Sequence, residues 1–560
     1  MAQLYDSTPE TQSVPAPEGR RAEVELLQGL REALACGCSL LQFAEHRGMP
    51  ESTVRHWVAR AQASGAPPAF VRFVESPEGL EVLHRIVVAA TFVLTQVVGG
   101  GVRAVCAFLQ LSGLWRVVAA GYGTQQEAVK CIEEAIAAFG AQERARLAAS
   151  MAPRNISVAQ DETFHEDPCL VAIEPVSNFI LVEEYAQDRR AETWAAAMKR
   201  GLSDLPVKVL QSTSDEGSAL LSVTRDSGAH HSPDLFHPQQ DISRATSLPL
   251  QRKVDAAELA ARQAAMEMVA LLNEAEAYDG QPRGPGRPRE YGPRLEEAEQ
   301  RHKAAEAALE EARGRRRQVR EAARAISRAY HPFDLETGAA RDASTVERDL
   351  QVQMNRIDHI ATTVGLSTRC RALLDKARRV LPQMVATIAF VHTLIRHKVE
   401  ALDLAPTVED AVQRHLIPAF YLEEVVPKAA TADARSAVRA AAASLRAAAD
   451  DPACALASLA GAERDAVHRV ARECARLFQR SSSNVEGRNG VLALRHHSAH
   501  QLNPRKLQAL TVVHNFWTRR PDGTTPAQRF FGQKHRDLFE FLLASLPPPK
   551  RPAARRAALH

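Results

Sequence analysis

Three acidic residues of this 560-residue chain stand where a carboxylate could do chemistry: Asp161, Asp215 and Glu486. Asp161 closes Ile156-Ser-Val-Ala-Gln-Asp161, where apolar Ile156 and Val158 alternate with smaller or polar residues, the period of a half-buried strand. Asp215 closes the segment 207–215, and Glu486 is the one acid in the polar stretch 481–489. If the three meet in space they form a hard, oxygen-only donor set. Mg²⁺ prefers such donors, taking one or two carboxylates and completing its shell with water and phosphate oxygens. Two ions about 3.5–4 Å apart can activate a nucleophile and stabilise the leaving oxygen of a phosphodiester. Crowded carboxylates repel each other, so a cation relieves a cost that they otherwise carry. Any one of these acids taken singly reads more readily as a solvated turn residue.

The elements around them decide whether they meet. The pattern gives a strand at 156–164, a second at 169–173 and a third at 178–185, read as an antiparallel meander. A helix at 191–202 places Trp194 and Met198 inward, and a fourth strand at 207–210 runs into Ser212–Asp215. A helix at 216–225 and a short fifth strand at 231–236 follow, with Asp234 and His237 beside it read as structural. The order βββαβαβ is that of a ribonuclease H-like core, in which strands one and four are neighbours and bring Asp161 and Asp215 together. Asp161 and Asp215 are 54 residues apart, room for two strands, a helix and a fourth strand. Glu486 reaches the same place only if about 220 intervening residues form an insertion. Glu162 and Glu216 are decoys, because strand alternation points Glu162 away from Asp161.

The expected organisation is multidomain α+β. Residues 1–20 are polar and Pro-rich and read as disordered. Residues 21–66 carry a helix-turn-helix pattern: a short apolar face at Leu40, Leu41 and Ala44, a turn at Gly48, Pro50 opening the second helix, then Val54, Trp57, Val58 and Ala61 at helical spacing. Ser52, Thr53, Arg55 and His56 would lie on the exposed face of that second helix, positioned to contact a DNA major groove. Residues 67–152 form a second helical domain, with a helix–Ser-Gly turn–helix reading at 101–118 and Thr124 capping a helix to about 149. Residues 153–241 are the first part of the α/β core. Residues 242–465 are an all-α insertion, opening as a charged coiled-coil hairpin at 252–278 and 294–330 and continuing as helices at 343–362, 367–400, 409–420 and 432–447. Between the hairpin arms, Gly286-Arg287-Pro288-Arg289 resembles an AT-hook core, which would put Arg287 and Arg289 into a minor groove. Residues 466–546 are the last part of the core with Glu486, the aromatic stretch 525–532 and a helix at 537–546, and 547–560 read as a disordered tail.

The four stretches Ala159-Gln-Asp161-Glu-Thr-Phe, Gln211-Ser-Thr-Ser-Asp215-Glu-Gly-Ser-Ala-Leu, Ser482-Ser-Asn-Val-Glu486-Gly-Arg-Asn489-Gly and Thr525-Pro-Ala-Gln-Arg-Phe-Phe-Gly532 together resemble a DDE transposase of a bacterial insertion sequence. With the N-terminal helices, the likeness spans nearly the whole chain. The resemblance implies a ribonuclease H-like fold and metal-dependent hydrolysis at transposon ends, with the released 3′-OH then attacking target DNA. It implies Asp161, Asp215 and Glu486 as the ligands of two Mg²⁺ or Mn²⁺ ions, and Arg488 and Asn489 as DNA contacts. It also implies double-stranded DNA partners (terminal inverted repeats and target) and homo-oligomers assembled on DNA, in a bacterial cytoplasm near the nucleoid. The chain departs from one large transposase group, whose Tyr/Arg/Glu/Lys signature is not met because position 493 is Ala. The competing reading is a domesticated regulator that binds DNA through its N-terminal helices and does not cut.

Bulk composition excludes less. Seventy Lys and Arg against 67 Asp and Glu leave a net charge of +3, so overall charge names no partner. After Glu486, thirteen basic residues face three acidic ones in 74 residues, a tail suited to a polyanion. Eight scattered cysteines without a CxxC pair read as free thiols, and the apolar run 86–98 as a buried helix, too short for a bilayer.

Overall fold

Five strands carry the alternation read in the middle of the chain: β1 (Arg154–Phe164), β2 (Pro168–Glu174), β3 (Phe179–Tyr185), β4 (Val207–Ser214) and β5 (His230–Pro233). This computed structural model describes residues 19–62, 66–279, 289–499 and 502–552. Residues 1–18 and 553–560, expected to be disordered, and Arg287 of the AT-hook-like segment lie outside the described residues. The fold is α+β: one small mixed sheet among many helices.

The sheet order is β3-β2-β1-β4-β5, with β1–β2 and β2–β3 antiparallel and β1–β4 and β4–β5 parallel. Both faces are covered, which explains the apolar density of β2. Val158, Leu170 and Ala172 meet Trp194 and Ala197 of the helix Ala191–Leu202 on one face. Ala159, Val171 and Ile173 meet Val485 and Leu492 of the helix Ser483–Ala499 on the other. Trp194 is fully buried, and its indole Nε1 donates to Glu162 Oε1 at 2.9 Å. Glu162 is thereby held away from Asp161, as strand alternation requires.

Strand β4 runs four residues beyond the expected 207–210, and its second half is polar. Gln211, Ser212, Thr213 and Ser214 are all buried. Gln211, Ser212 and Ser214 tolerate burial because their side chains find partners within the sheet, whereas Thr213 Oγ1 has none among the described residues. Gln211 Nε2 donates to Ser232 Oγ at 2.7 Å, Ser212 Oγ donates to Gln160 Oε1, and Ser214 Oγ meets His231 Nε2 at 3.2 Å. Strand β5 ends at Pro233, so Phe236 belongs to the next helix rather than to the strand.

The helical insertion is larger than its apolar pattern suggested. It opens with the helix Phe236–Asp279, pairs it with Gly292–Ala329, and continues through Ala343–Thr363, Thr368–Glu400, Ala432–Ala449 and Gly461–Ala475. The helix expected at 409–420 is three pieces, Pro406–Ala411, a π-turn at Val412–Leu416 and Ile417–Val425. These helices share one core around Tyr330, Met354, Met384 and Leu422. The insertion closes at its neck: Leu235 N–H donates to Arg480 C=O at 2.9 Å, and Ser482 Oγ donates to Asp234 Oδ2. The chain therefore leaves the sheet after β5 and returns within one hydrogen bond of its departure point, about 245 residues later.

The N-terminal region holds two corrections. The helices Leu40–His46 and Glu51–Gln62 are joined by a turn with Gly48 at φ +62°, and Ser39 with Gln42 forms a capping box. At 101–118, however, only one helix forms, Val102–Leu111; a 3₁₀ turn at Leu114–Arg116 replaces the second, because Val117 and Val118 turn inward and are buried. The following helix spans Tyr122–Ala149 with Gly121 at its N-cap, so Thr124 lies within the first turn and does not cap it. One helical stretch, Pro77–Val97, is long and apolar enough to cross a bilayer, and half of its apolar window is buried in the fold. All eight cysteines are unpaired.

The expected disordered tail is docked up to residue 552. Arg551 is buried between Glu75 and Glu23, Arg20 Nη1 donates to Pro549 C=O at 2.9 Å, and Ala119 N–H donates to Lys550 C=O at 2.8 Å. The Pro/Arg composition signalled disorder, but a guanidinium that finds buried carboxylates orders its chain.

Close packing makes one glycine diagnostic. A Cβ on Gly140, in the helix Tyr122–Ala149, would lie 2.3 Å from Val512 Cγ2 of the helix Pro504–Phe516. Gly140→Ala gains helix propensity but forces the two helices apart, a net loss of about 1–2 kcal/mol. Chemical denaturation of G140A, and of G140A/V512A, checks this: the second change restores most of the loss.

Candidate metal centre at the β1–β4 edge

Strand register brings the first two acids together. Ala159 pairs with Thr213 in the parallel β1–β4 ladder, so two residues further along each strand Asp161 and Asp215 stand side by side. Neighbouring strands are about 4.8 Å apart. The ladder with β4 stops there, while β1 continues against β2 through Asp161↔Val171 to Phe164. Asp161 is thus not at the end of its strand, as read from the sequence, but where β1 and β4 part. Asp215 Oδ1 accepts from Gly217 N–H at 3.0 Å, and a Cβ at Gly217 would come within 2.8 Å of that oxygen. Glycine there leaves the carboxylate its turn.

The third acid arrives on the helix Ser483–Ala499, in its first turn. Val485 and Leu492 pin this helix to the sheet. Asn489, one turn after Glu486, donates from Nδ2 to Asp161 Oδ2 at 3.0 Å. Residues three apart on a helix have Cβ atoms about 5–6 Å apart, so Glu486 borders the same edge.

The electrostatics follow from this crowding. Burial pushes the Asp161 carboxyl up to about 6, helped by the negative charges of Asp215 and Glu162 and opposed by a backbone hydrogen bond and His237. Glu486 is raised by burial and by Asp234, and lowered by His237. Glu216 is raised by burial and then by Asp215, again opposed by His237. His237 is therefore the common neighbour of Asp161, Glu216 and Glu486, with Nε2 4.0 Å from Asp234 Oδ2. The sequence reading treated His237 as structural. The signal was its place four residues after the strand that borders β4, at the start of the next helix.

Native Asp161 holds its proton more tightly than the unfolded chain does. Its contribution to stability is fully present below about pH 4 and is lost as pH rises through about 6. A displacement of that size corresponds to about 2–3 kcal/mol. Thermal unfolding between pH 4 and 7 should therefore show the parent losing stability relative to Asp161→Asn; parallel curves would remove the burial argument.

The donors fit a hard divalent cation: carboxylate oxygens only, two of them mutually repelling. Among the described residues no three His, Cys, Asp or Glu side chains converge as a complete cage. Asp161 and Asp215, with Glu486 bordering them, would leave much of a Mg²⁺ shell to water and phosphate.

The other residues singled out in the sequence fall elsewhere. Arg488 is turned inward: Nε and Nη2 donate to Glu183 at 2.7 and 2.6 Å, both side chains being nearly inaccessible. It is a buried ion pair tying the helix to β3, so the residue that the resemblance implies as a DNA contact is turned away from the surface. Asn489 is spent on Asp161. Ser52, Arg55 and His56 are exposed and Thr53 half-buried on their helix, with Arg55 held to Glu51 one turn away. Arg289 is exposed, 3.5 Å from Glu274, at the connecting end of the long helical pair.

Residues 412–558 match DUF6399, a family of unknown function. That segment contains Glu486 and neither Asp161 nor Asp215. No curated protein and no solved structure matches the chain.

Proposed function

We propose that this protein is a DDE-type transposase that cleaves DNA at transposon ends and transfers the freed 3′-OH into target DNA, with Asp161, Asp215 and Glu486 as its metal-binding acids. The observation that supports this reading best is the β1–β4 register, which sets Asp161 beside Asp215 with Asn489 and Glu486 arriving from the returning helix. The strand order β3-β2-β1-β4-β5, with one parallel and one antiparallel neighbour for β1, resembles a ribonuclease H-like core. Bound Mg²⁺ or Mn²⁺ would supply activation of the attacking oxygen and neutralisation of the leaving one. Asp161 and Asp215 hold that charge at the strand edge, Asn489 fixes the Asp161 carboxylate through Oδ2, and His237 tempers the repulsion among the acids. The exposed face at Ser52, Thr53, Arg55 and His56 would read a major groove, as in helix-turn-helix proteins. The partners on this reading are double-stranded DNA and further copies of the chain, in a bacterial cytoplasm.

A DNA-binding regulator that does not cut is the second reading. The observation favouring it is that no three candidate ligands among the described residues converge as a cage. Incubation with supercoiled plasmid carrying the gene's flanking DNA, with Mg²⁺, Mn²⁺ or a chelator, separates the two. Nicked or linear product in either metal and none with the chelator is expected. A mobility shift without cleavage in both metals would favour the regulator.

A further inference from the structure

A second charged feature lies at the opposite end of β1. A cleft of about 570 Å³ opens between the first residues of β1, the middle of β4, and the helices Thr368–Glu400 and Gly461–Ala475. Six cations line it, Arg154, Lys398, Arg469, Arg472, Arg476 and Arg529, against two carboxylates, Glu174 and Glu473. Arg154 is seven residues before Asp161 on the same strand, about 23 Å at the usual strand rise of ~3.3 Å per residue. The cleft is therefore separate from the acids.

The two carboxylates neutralise it only in part: both attract Arg154, but each is also engaged elsewhere. Glu174 caps its own turn, accepting from Val176 N–H at 3.1 Å and Ser177 N–H at 2.7 Å. Glu473 is engaged by Lys398 at 3.0 Å. Arg476 pairs with Glu424 at 2.8 Å, and Arg529 donates to the carbonyls of Ser177 and Thr524. Arg154 lies over the Phe530 ring at 4.6 Å and Arg472 over Phe420 at 5.0 Å. Among the described residues, Arg154, Arg469 and Arg472 have no carboxylate within 4 Å. Like charges gathered in a concave wall repel one another and concentrate anions. A guanidinium presents a planar fork that matches phosphate oxygens in pairs. Ile156, Leu210, Leu394 and Leu477 supply apolar wall beside these charges. The volume exceeds that of a lone inorganic anion, and the mixed wall suits an anion with a flat organic body.

We propose that this cleft binds nucleotide phosphates, through Arg154, Arg469 and Arg472, at a site distinct from the acidic edge. The nucleotide can come from a single strand of nucleic acid or from a free nucleoside triphosphate. The proposal does not depend on the transposase reading. The test uses the full chain and two probes, a labelled single-stranded 12-mer and a labelled nucleoside triphosphate, titrated at low and at physiological salt. R469E/R472E changes two exposed residues, and R348E/R414E makes the same change in net charge on the exposed surface of the helical insertion. R469E/R472E is expected to weaken one or both probes at least about tenfold and, for the 12-mer, to flatten the salt dependence by about two. R348E/R414E should change binding less than about threefold. Loss of the 12-mer alone assigns the cleft to a strand, loss of the triphosphate alone to a free nucleotide, and loss of both to the shared phosphate chemistry. Equal binding by parent and R469E/R472E, equal weakening by both variants, or no binding of either probe by the parent at low salt overturns the proposal.

Discussion

On the proposed reading, Asp161→Asn is expected to bind DNA as the parent does and to lose Mg²⁺-dependent cleavage by a factor on the order of a thousand or more. The substitution is nearly isosteric. Asparagine Oδ1 can still accept from Asn489 Nδ2, so the helix Ser483–Ala499 stays docked; what disappears is the charge beside Asp215. The matched control is Glu162→Gln. Glu162 is the adjacent acid, but its Oε1 is bonded to Trp194 on the opposite face, so Glu162→Gln should keep cleavage within about tenfold. Plasmid nicking and mobility-shift assays on the three proteins decide the matter. Cleavage by Asp161→Asn, or equal loss in Glu162→Gln, would sink the assignment of Asp161.

The largest effect on stability is expected at the buried cluster of Glu75, Arg20 and Arg551. Glu75 accepts from Arg20 at 2.9 Å and from Arg551 Nε at 3.0 Å, and all three side chains are almost wholly buried. Burial alone would raise the Glu75 carboxyl; the hydrogen bond from Arg551 and the charges of both arginines bring it below its usual range. Glu75→Gln leaves two buried guanidiniums without their shared carboxylate and should cost about 3–5 kcal/mol in chemical denaturation. Arg551→Ala should cost a comparable amount and also release the residues before it, which limited proteolysis would report as cleavage near 547–552. A change under about 1 kcal/mol in both variants would mean that the cluster contributes little.

The sheet was legible where hydrophobicity carried it. The strands β1, β2 and β3 stand within two residues of their apolar runs, because burial on both faces leaves a dense Val, Ile and Leu signal. The second half of β4 was not legible: Gln211 to Ser214 fall beyond the strand read at 207–210, and partners from β1 and β5 make them strand. The stretch 101–118 failed for the opposite reason. Its apolar residues fit a helix as well as they fit a buried turn, and tertiary contacts chose the turn. At the candidate site, Asp161 and Asp215 could be picked from the strand pattern and their spacing, and Glu486 from the polar stretch around it. Their supporting groups could not, since nothing local tells that Asn489 faces Asp161, that His237 borders three acids, or that Arg488 is turned toward Glu183.

The neck at Leu235 and Arg480 also sets a timetable. Asp161 and Asp215 leave the ribosome early and can pair as soon as β4 finds β1. Glu486 follows 271 residues later, which at ~5–20 residues per second is a delay on the order of ten seconds or more. Through that interval the nascent chain holds two of its three acids and an uncovered sheet face where Val485 and Leu492 will dock. The helical block has time to build its own core first, and the last acid is delivered only after the chain has come back through the neck. On the proposed reading, a newly made chain could not bring the three acids to one edge until nearly all of it had been synthesised.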